Sequence, residues 1–423
     1  MENTINLEKD KLRNSVYINM TIFLVGKLVS LFGARIMNFA IGLYVLRTTG
    51  SGMSFALTMI VSTIPAIILS PFAGVLADRV SRKMVVVVTD VLCGVLLIIV
   101  YPLSMRIGLS FNLVLITVFF LSILNTFFNI TMETSIPNIV DEKRLTKINS
   151  YSSSITSLAS IVGPVLGGFI YGFFPIERFL LIAGISFIAS AVSEIFINFN
   201  FNDAPAIDRT REKVLIEIKS ALNYVKTKKV ILLILIFAVF VNFVFSSYIV
   251  SLPHIINIQL GLSSEQYGLI QSAFAIGSLI FSLIYSLLPE RKNGYKYVIY
   301  SLMIISALMM LTGIPTLQIF ESAFKASLLI YFIIINFSVG GALVFLNLPT
   351  FILMQRETSD EYRGRVNGLL GTASLSIQPM GMVLGGLFLD YISGFALVFI
   401  CGLLFLIISV IFARLDDLKE LFL

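Results

Sequence analysis

The chain has 423 residues, of which 57% are hydrophobic and 13% charged, with a formal net charge of +6. A soluble domain carries about 25% charged residues, so a water-soluble globular protein is excluded. Apolar runs of roughly the 20 residues that a bilayer demands recur along the chain, which predicts an all-α, multi-pass protein of the cell membrane.

The opening "MENTINLEKDKLRNSV" is too polar for the apolar region of a secretory leader and has no small-residue cleavage pattern, so it is expected to be retained. Cutting the rest at charge, glycine and proline predicts twelve spans, at about 16–46, 53–77, 84–104, 110–135, 148–174, 179–198, 230–256, 264–288, 296–314, 326–354, 366–392 and 395–413. Cys93 and Cys401 both fall inside apolar runs and read as small packing residues. The single histidine and the lack of any Cys/His grouping argue against a zinc or haem centre. Nothing reads as a nucleotide loop or a catalytic constellation, so neither ATP hydrolysis nor an enzyme is expected, and no cofactor or metal.

Ionisable side chains inside a span cost roughly 2.5–3.5 kcal/mol each on insertion scales and are functional candidates by default. Span 1 carries a polar stripe of Lys27, Arg35 and Asn38, with Lys27 near mid-membrane. Between spans 2 and 3 lies "GVLADRVSRK", residues 74–83, which packs an acid, three bases and a glycine between two apolar runs. Asp90 sits about two turns into span 3. On span 4, Asn125, Asn129 and Glu133 step by four to make a second stripe, with Glu133 near the inner surface. The carboxylates are the natural partners of the bases. In span 5, "GPVLGG" places Pro164 where it removes a backbone hydrogen bond, and Gly163, Gly167 and Gly168 where another helix can approach closely. The second half offers Asn242 in span 7 and Asn336 in span 10, which do not titrate. His254 ends span 7 and reads as a helix-end residue, with a pH sensor as the alternative, and Asp390 reads as a solvated carboxylate at the outer end of span 11.

The loops divide the bases unevenly. The termini and even-numbered loops hold Lys9, Lys11 and Arg13, then Arg79, Arg82 and Lys83, Lys143, Arg144 and Lys147, the run from Arg209 to Lys229, then Arg291, Lys292, Lys296, Arg356, Arg363, Arg365, Arg414 and Lys419. The opposite loops hold Arg47, Arg106, Arg178 and Lys325. This bias predicts cytoplasmic termini and makes the net charge a topology signal, with no nucleic acid partner implied. The polar segment 199–229 separates a first half, 1–198, from a second, 230–423. Val214, Leu215, Ile218, Leu222 and Val225 recur within it at helical spacing, which predicts an amphipathic helix on the membrane surface.

The halves look duplicated. "KINSYSSSITSLASIVGPVLGG" from Lys147 and "RVNGLLGTASLSIQPMGMVLGG" from Arg365 align at a constant offset of 218, with Asn149 on Asn367, Gly163 on Gly381 and Gly167-Gly168 on Gly385-Gly386. Spans 5 and 11 are therefore expected to be equivalent elements of two six-helix bodies.

With these motifs the chain resembles the major facilitator superfamily. Gly74, Leu76, Ala77, Asp78, Arg79, Arg82 and Lys83 match its loop motif G-x-L-A-D-R-x-G-R-[KR], with Ser81 in place of the second glycine. "GPVLGG" is similar to the span 5 motif of its drug-extruding antiporters, with Ala159 where a glycine is common. "TTGSG" after span 1, Pro137 and Asn149 about the 4–5 loop and "RGRV" at 363–366 resemble the macrolide-efflux-type branch. Span 4 lacks the arginine motif of many proton-coupled drug exporters. The resemblance implies a monomer, and a latch in which Asp78 bonds the start of span 11 or Arg363 in one conformation and releases it in the other.

The resulting expectation is a secondary active transporter that exports an amphipathic small molecule by alternating access, with proton antiport as the energy source and lipid around it. Two alternatives stand beside it. An exporter or flippase of an anionic lipid or siderophore is favoured by the bases of span 1. A non-transporting sensor or channel would need polar stripes in most spans, and they occur mainly in spans 1 and 4.

Overall fold

The computed structural model describes residues 2–199, 201, 219–220, 222–288, 294–317 and 327–414, with side chains from Val16 onward other than those of 71, 75, 77–79, 360 and 361. Among the described residues, 12 helices are long and apolar enough to cross a membrane. We number them α1 (Glu2–Thr49), α2 (Gly52–Arg79), α3 (Arg82–Ile107), α4 (Phe111–Ile139), α5 (Glu142–Phe173), α6 (Ile176–Glu194), α7 (Lys229–Pro253), α8 (Ser264–Leu287), α9 (Gly294–Gly313), α10 (Leu328–Glu357), α11 (Asp360–Leu389) and α12 (Gly394–Ala413).

Helix ends follow capping chemistry more closely than they follow apolar runs. The hydroxyls of Ser81, Ser110 and Ser393 accept from the amides of Met84, Leu113 and Ala396 at the starts of α3, α4 and α12, and Ser263 with Gln266 forms a reciprocal capping box before α8. α5 and α11 begin at Glu142 and Asp360, six residues before the starts expected from their apolar runs, and neither N-cap, Asp141 or Ser359, makes a side-chain cap. α7 runs on through His254–Gln259 as a π-helical turn. α5 continues through Pro164 as one helix. Of the amphipathic linker helix, Val214, Leu215 and Ile218 lie outside the described residues. Residues 222–227 are helical, with Leu222 exposed and Val225 buried.

Two compact units are present. The first comprises Met1–Ile41 and Val61–Asp208. In it α5 lies against α1: a Cβ at Gly163 would meet the Cβ of Arg35 at 3.0 Å, and one at Gly167 would meet Phe39 Cδ1 at 2.9 Å. α3 and α6 cross glycine to glycine, a Cβ on Gly94 falling 2.8 Å from the Gly184 carbonyl and one on Gly184 falling 3.0 Å from that of Gly94. Below that crossing, Val16, Met20, Phe23, Val86, Phe128, Met132 and Ile197 pack into one buried apolar cluster. The chain leaving α6 is tied to α1 by Asn19, whose amide donates to the Asn198 carbonyl at 3.1 Å and whose oxygen accepts from the Asn198 amide at 2.9 Å.

The second unit comprises Gly42–Ile60 and Arg209–Leu423. Here α11 lies on α7: a side chain at Gly381 would collide with the Phe243 carbonyl, and one at Gly385 would meet Ser247 Cα at 2.8 Å. The Ser247 hydroxyl donates to the Gly381 carbonyl at 2.7 Å. α8 and α10 cross just as closely, with Gly277 on the carbonyl of Phe337 and Gly340 on that of Phe274. The segment 42–60 also packs here. Asp390, at the end of α11, accepts from the Ser51 hydroxyl at 2.9 Å and the Gly52 amide at 2.9 Å, so this exposed carboxylate serves as a cap for the start of α2.

Candidate functional site

The polar chemistry of the first unit falls into two clusters on neighbouring faces of α1, one met by α4 and α5 and the other by α3 and α6. The first is centred on Lys27, which is 5% exposed. Its Nζ donates to the Ser152 hydroxyl of α5 at 2.6 Å and lies 3.7 Å from Glu133 Oε1 of α4. The Glu133 side chain is 67% exposed, so an ammonium shut inside the bundle faces a carboxylate that is still wet. Arg35 and Asn38 lie further along α1 and are exposed, Arg35 beside the glycine step of α5. Asn125 and Asn129 are half-buried on α4, and the Asn125 amide donates back to the Leu121 carbonyl at 2.8 Å. The structure therefore brings Lys27 and Glu133 together and places Arg35 and Asn38 apart from them.

The second cluster faces α3 and α6. Asp90, 0% exposed, accepts from the Ser30 hydroxyl through Oδ2 at 2.7 Å. The Ser30 and Ser190 hydroxyls are 3.0 Å apart, and Ser190 donates to Glu194 Oε1 at 3.1 Å. Glu194 is also 0% exposed. Sequence reasoning found Asp90 but missed Glu194, because it lies four residues from the end of the span expected there, where a carboxylate is ordinarily hydrated. The signal that points to it is the Ser190/Glu194 spacing of four, which puts both on one helix face.

In the second unit the corresponding groups are neutral and satisfied. The Asn242 amide donates to the Ala238 carbonyl at 2.9 Å while its oxygen accepts from Gln378 of α11 at 3.2 Å. Asn336, 1% exposed, donates to the Phe332 carbonyl at 3.0 Å.

The loop motif is seen in part. Gly74 is half-buried in the last turns of α2, Lys83 is exposed, and Arg82 donates to the side chain of Asn138 at the end of α4. The Asp78 and Arg79 side chains, on which the latch depends, lie outside the described residues. Arg363 is exposed in the first turn of α11. Just before that turn the Ser359 amide donates to the Tyr224 hydroxyl at 3.1 Å, and the Tyr224 ring stacks on Tyr362 at 4.3 Å. Accepting from Ser359 holds the Tyr224 phenol below its ordinary value. Pro164 and Gly168 lie within α5, with Gly168 buried.

Comparison with known proteins places this geometry in a family. The family described as Major Facilitator Superfamily matches residues 23–376 and 244–420. The chain is 22% identical over 400 residues to macrolide efflux protein A of Streptococcus pyogenes, covering 94% of this chain and 95% of that protein. It is 22% identical over 388 residues to the multidrug efflux pump Tap of Mycolicibacterium fortuitum, covering 89% and 90%. Among solved structures, a bacterial homologue of the iron transporter ferroportin in its inward-facing state superposes with a TM-score of 0.71 at 18% identity, over 94% of this chain and 98% of that one, a likeness of fold.

Proposed function

From the chain's membership of the major facilitator superfamily, which makes it an integral membrane transporter of small molecules and not an enzyme, we propose that it exports amphipathic, macrolide-like compounds in exchange for protons. The observation that carries the mechanism is the repeated glycine seat. Gly163 and Gly167 seat α5 on α1, and their equivalents Gly381 and Gly385 seat α11 on α7. Two bodies built to one plan, each with a closely packed helix pair, are the architecture on which alternating access works. The termini are cytoplasmic in this reading, by the bias of the bases, and the transporter works as a monomer surrounded by lipid. The cargo class is supported by the relatives named for macrolide and multidrug efflux. The state of Lys27 agrees with it, because an ammonium already facing Ser152 and Glu133 is poorly placed to hold an anionic cargo.

The test uses inside-out vesicles with ethidium and erythromycin as probes. Acidifying the lumen is expected to drive uptake of at least one probe, and dissipating the gradient with nigericin to abolish it. Uptake indifferent to the gradient overturns antiport, and no uptake of either probe overturns the cargo class. The second reading, an anionic lipid or siderophore as cargo, rests on Arg35, a base exposed on α1 beside Gly163. Flipping of a fluorescent anionic lipid by the reconstituted protein would establish it.

A further inference from the structure

Each carboxyl of the second cluster keeps one oxygen, Asp90 Oδ1 and Glu194 Oε2, fully buried and without a donor among the described residues. The two groups lie within hydrogen-bond reach of each other. Two carboxylate oxygens cannot bond to one another unless a proton lies between them. Ser30 and Ser190 satisfy the remaining oxygens from two other directions. The absence of a side chain at Gly26 makes the room, since a Cβ there would stand 3.0 Å from Glu194 Oε1.

We propose that Asp90 and Glu194 hold one exchangeable proton between them, in a dry pocket where α1, α3 and α6 meet, and that this is the proton exchanged for cargo. The second half of the statement rests on the antiport reading above.

Among the described residues, no base faces the pair to neutralise it. From α1 it is met by Gly26 and Ser30, while Lys27 turns to Ser152 and Glu133. From α3 the neighbour is the buried Cys93, with Arg82 and Lys83 about two turns away and Arg82 given to Asn138. From α6 it is Ser190, with Glu177 and Arg178 at the far end of the helix. The titratable side chain that α4 carries is Glu133, already facing Lys27, and the charges of α5 are confined to its first turns, from Glu142 to Lys147.

Water is held off on both sides. The cluster of Phe23, Val86 and Ile197 lies about one turn away in one direction, and the Gly94/Gly184 crossing lies one turn along α3 in the other. Releasing the proton would leave two carboxylates a hydrogen bond apart in a low dielectric, where like charges repel strongly. The repulsion favours an arrangement in which α1, α3 and α6 part and water enters. Proton loss thereby becomes a change in the packing of this unit.

The experiment joins infrared spectroscopy of the reconstituted protein to flux. A protonated-carboxyl band that shifts in heavy water and disappears on alkaline titration is expected in the parent, and in both Asp90→Asn and Glu194→Gln it is expected to be replaced by a displaced band from the single carboxyl left in the pocket. Absence of the band from the parent, or its persistence unchanged in both variants, overturns the shared proton. In vesicles under an imposed gradient, ethidium flux in both variants is expected to become indifferent to that gradient. The exchanged pair Asp90→Glu with Glu194→Asp should restore both band and gradient dependence, which a merely misfolded variant would not. Gradient-driven flux retained in Asp90→Asn and Glu194→Gln overturns the coupling role. Parent flux indifferent to the gradient overturns antiport itself, and the band then reports on the pocket separately.

Discussion

The two units share a scaffold and differ in chemistry. Every buried charged residue among the described residues, Lys27, Asp90 and Glu194, belongs to the first unit. The offset of 218 that carries Gly163 onto Gly381 also carries Gly184 onto Gly402 and Glu194 onto Phe412. Gly402 in turn packs on α9 as Gly184 does on α3, a Cβ there falling 2.8 Å from the Ser306 carbonyl. By that match Leu302, 0% exposed, stands where Asp90 stands, and Phe412, 2% exposed, stands in place of Glu194. The same kind of helix contact is plain packing in one unit and carries ionisable groups in the other.

Transplanting the acid is the strongest way to break the comparison. Phe412→Glu puts a carboxyl where the second unit has Leu302 and Ile408 in place of Asp90 and Ser190. It removes a buried ring and leaves a polar group without donors, a combined cost of about 4 kcal/mol or more. Loss of folded protein on size-exclusion in detergent is the expected result, whereas Glu194→Gln should yield protein normally. A Phe412→Glu variant as stable as the parent would mean that the second unit can hold charge after all.

The next effect separates the glycine seats. In the second unit Gly340 abuts the Phe274 carbonyl, and backbone cannot retract, so Gly340→Ala should cost about 3 kcal/mol, the upper end for overpacking. In the first unit Gly163 abuts the Cβ of Arg35 at 3.0 Å, a looser approach that a shift of the helices by a few tenths of an ångström relieves, and Gly163→Ala should cost about 1 kcal/mol. Thermal unfolding of both variants in detergent measures the difference, and equal costs would erase it.

A third effect is on activity. Lys27→Gln removes the ammonium but leaves Glu133 exposed and able to hydrate. Stability should change by only about 1 kcal/mol, while ethidium export falls at least tenfold, a barrier increase of about 1.4 kcal/mol or more. Export unchanged in Lys27→Gln would make the first cluster a structural ion pair.

Much of this was legible in the sequence, for identifiable reasons. The spans follow from apolar run length, and the equivalence of α5 and α11 from a glycine spacing that only close helix contact explains. Lys27 and Asp90 stood out because their depth makes hydration costly. Glu194 did not, because it lies near a helix end and its burial is imposed by chain folding back after α6, where Asn19 holds Asn198. Asp390 read as solvated for a similar reason. It is exposed, yet the partner it caps, the start of α2, is 338 residues away in the chain, and no local pattern signals that meeting. The sequence likewise grouped 1–198 as one half, whereas the 42–60 segment packs in the second unit through contacts of that same long range.

The smallest expected effect concerns the linker, a feature of the second unit with no counterpart described in the first. Tyr224 joins residues 222–227 to the start of α11 by a ring stack and one accepted hydrogen bond. Tyr224→Phe keeps the stack and loses the acceptor, at about 0.5 kcal/mol for an exposed bond, whereas Tyr224→Ala loses both. The phenol is held below its ordinary value, so ionisation favours the docked linker. That contribution is fully present above the free tyrosine value of about 10, fades as pH falls through the lowered value, and is absent at neutral pH. Limited proteolysis of the linker at neutral pH should therefore run fastest in Tyr224→Ala, with Tyr224→Phe close to the parent. At alkaline pH the parent alone should gain protection, beyond any change in the protease itself. Equal alkaline protection in Tyr224→Phe would show that the stack alone docks the linker, and that its hold on α11 does not depend on the phenol.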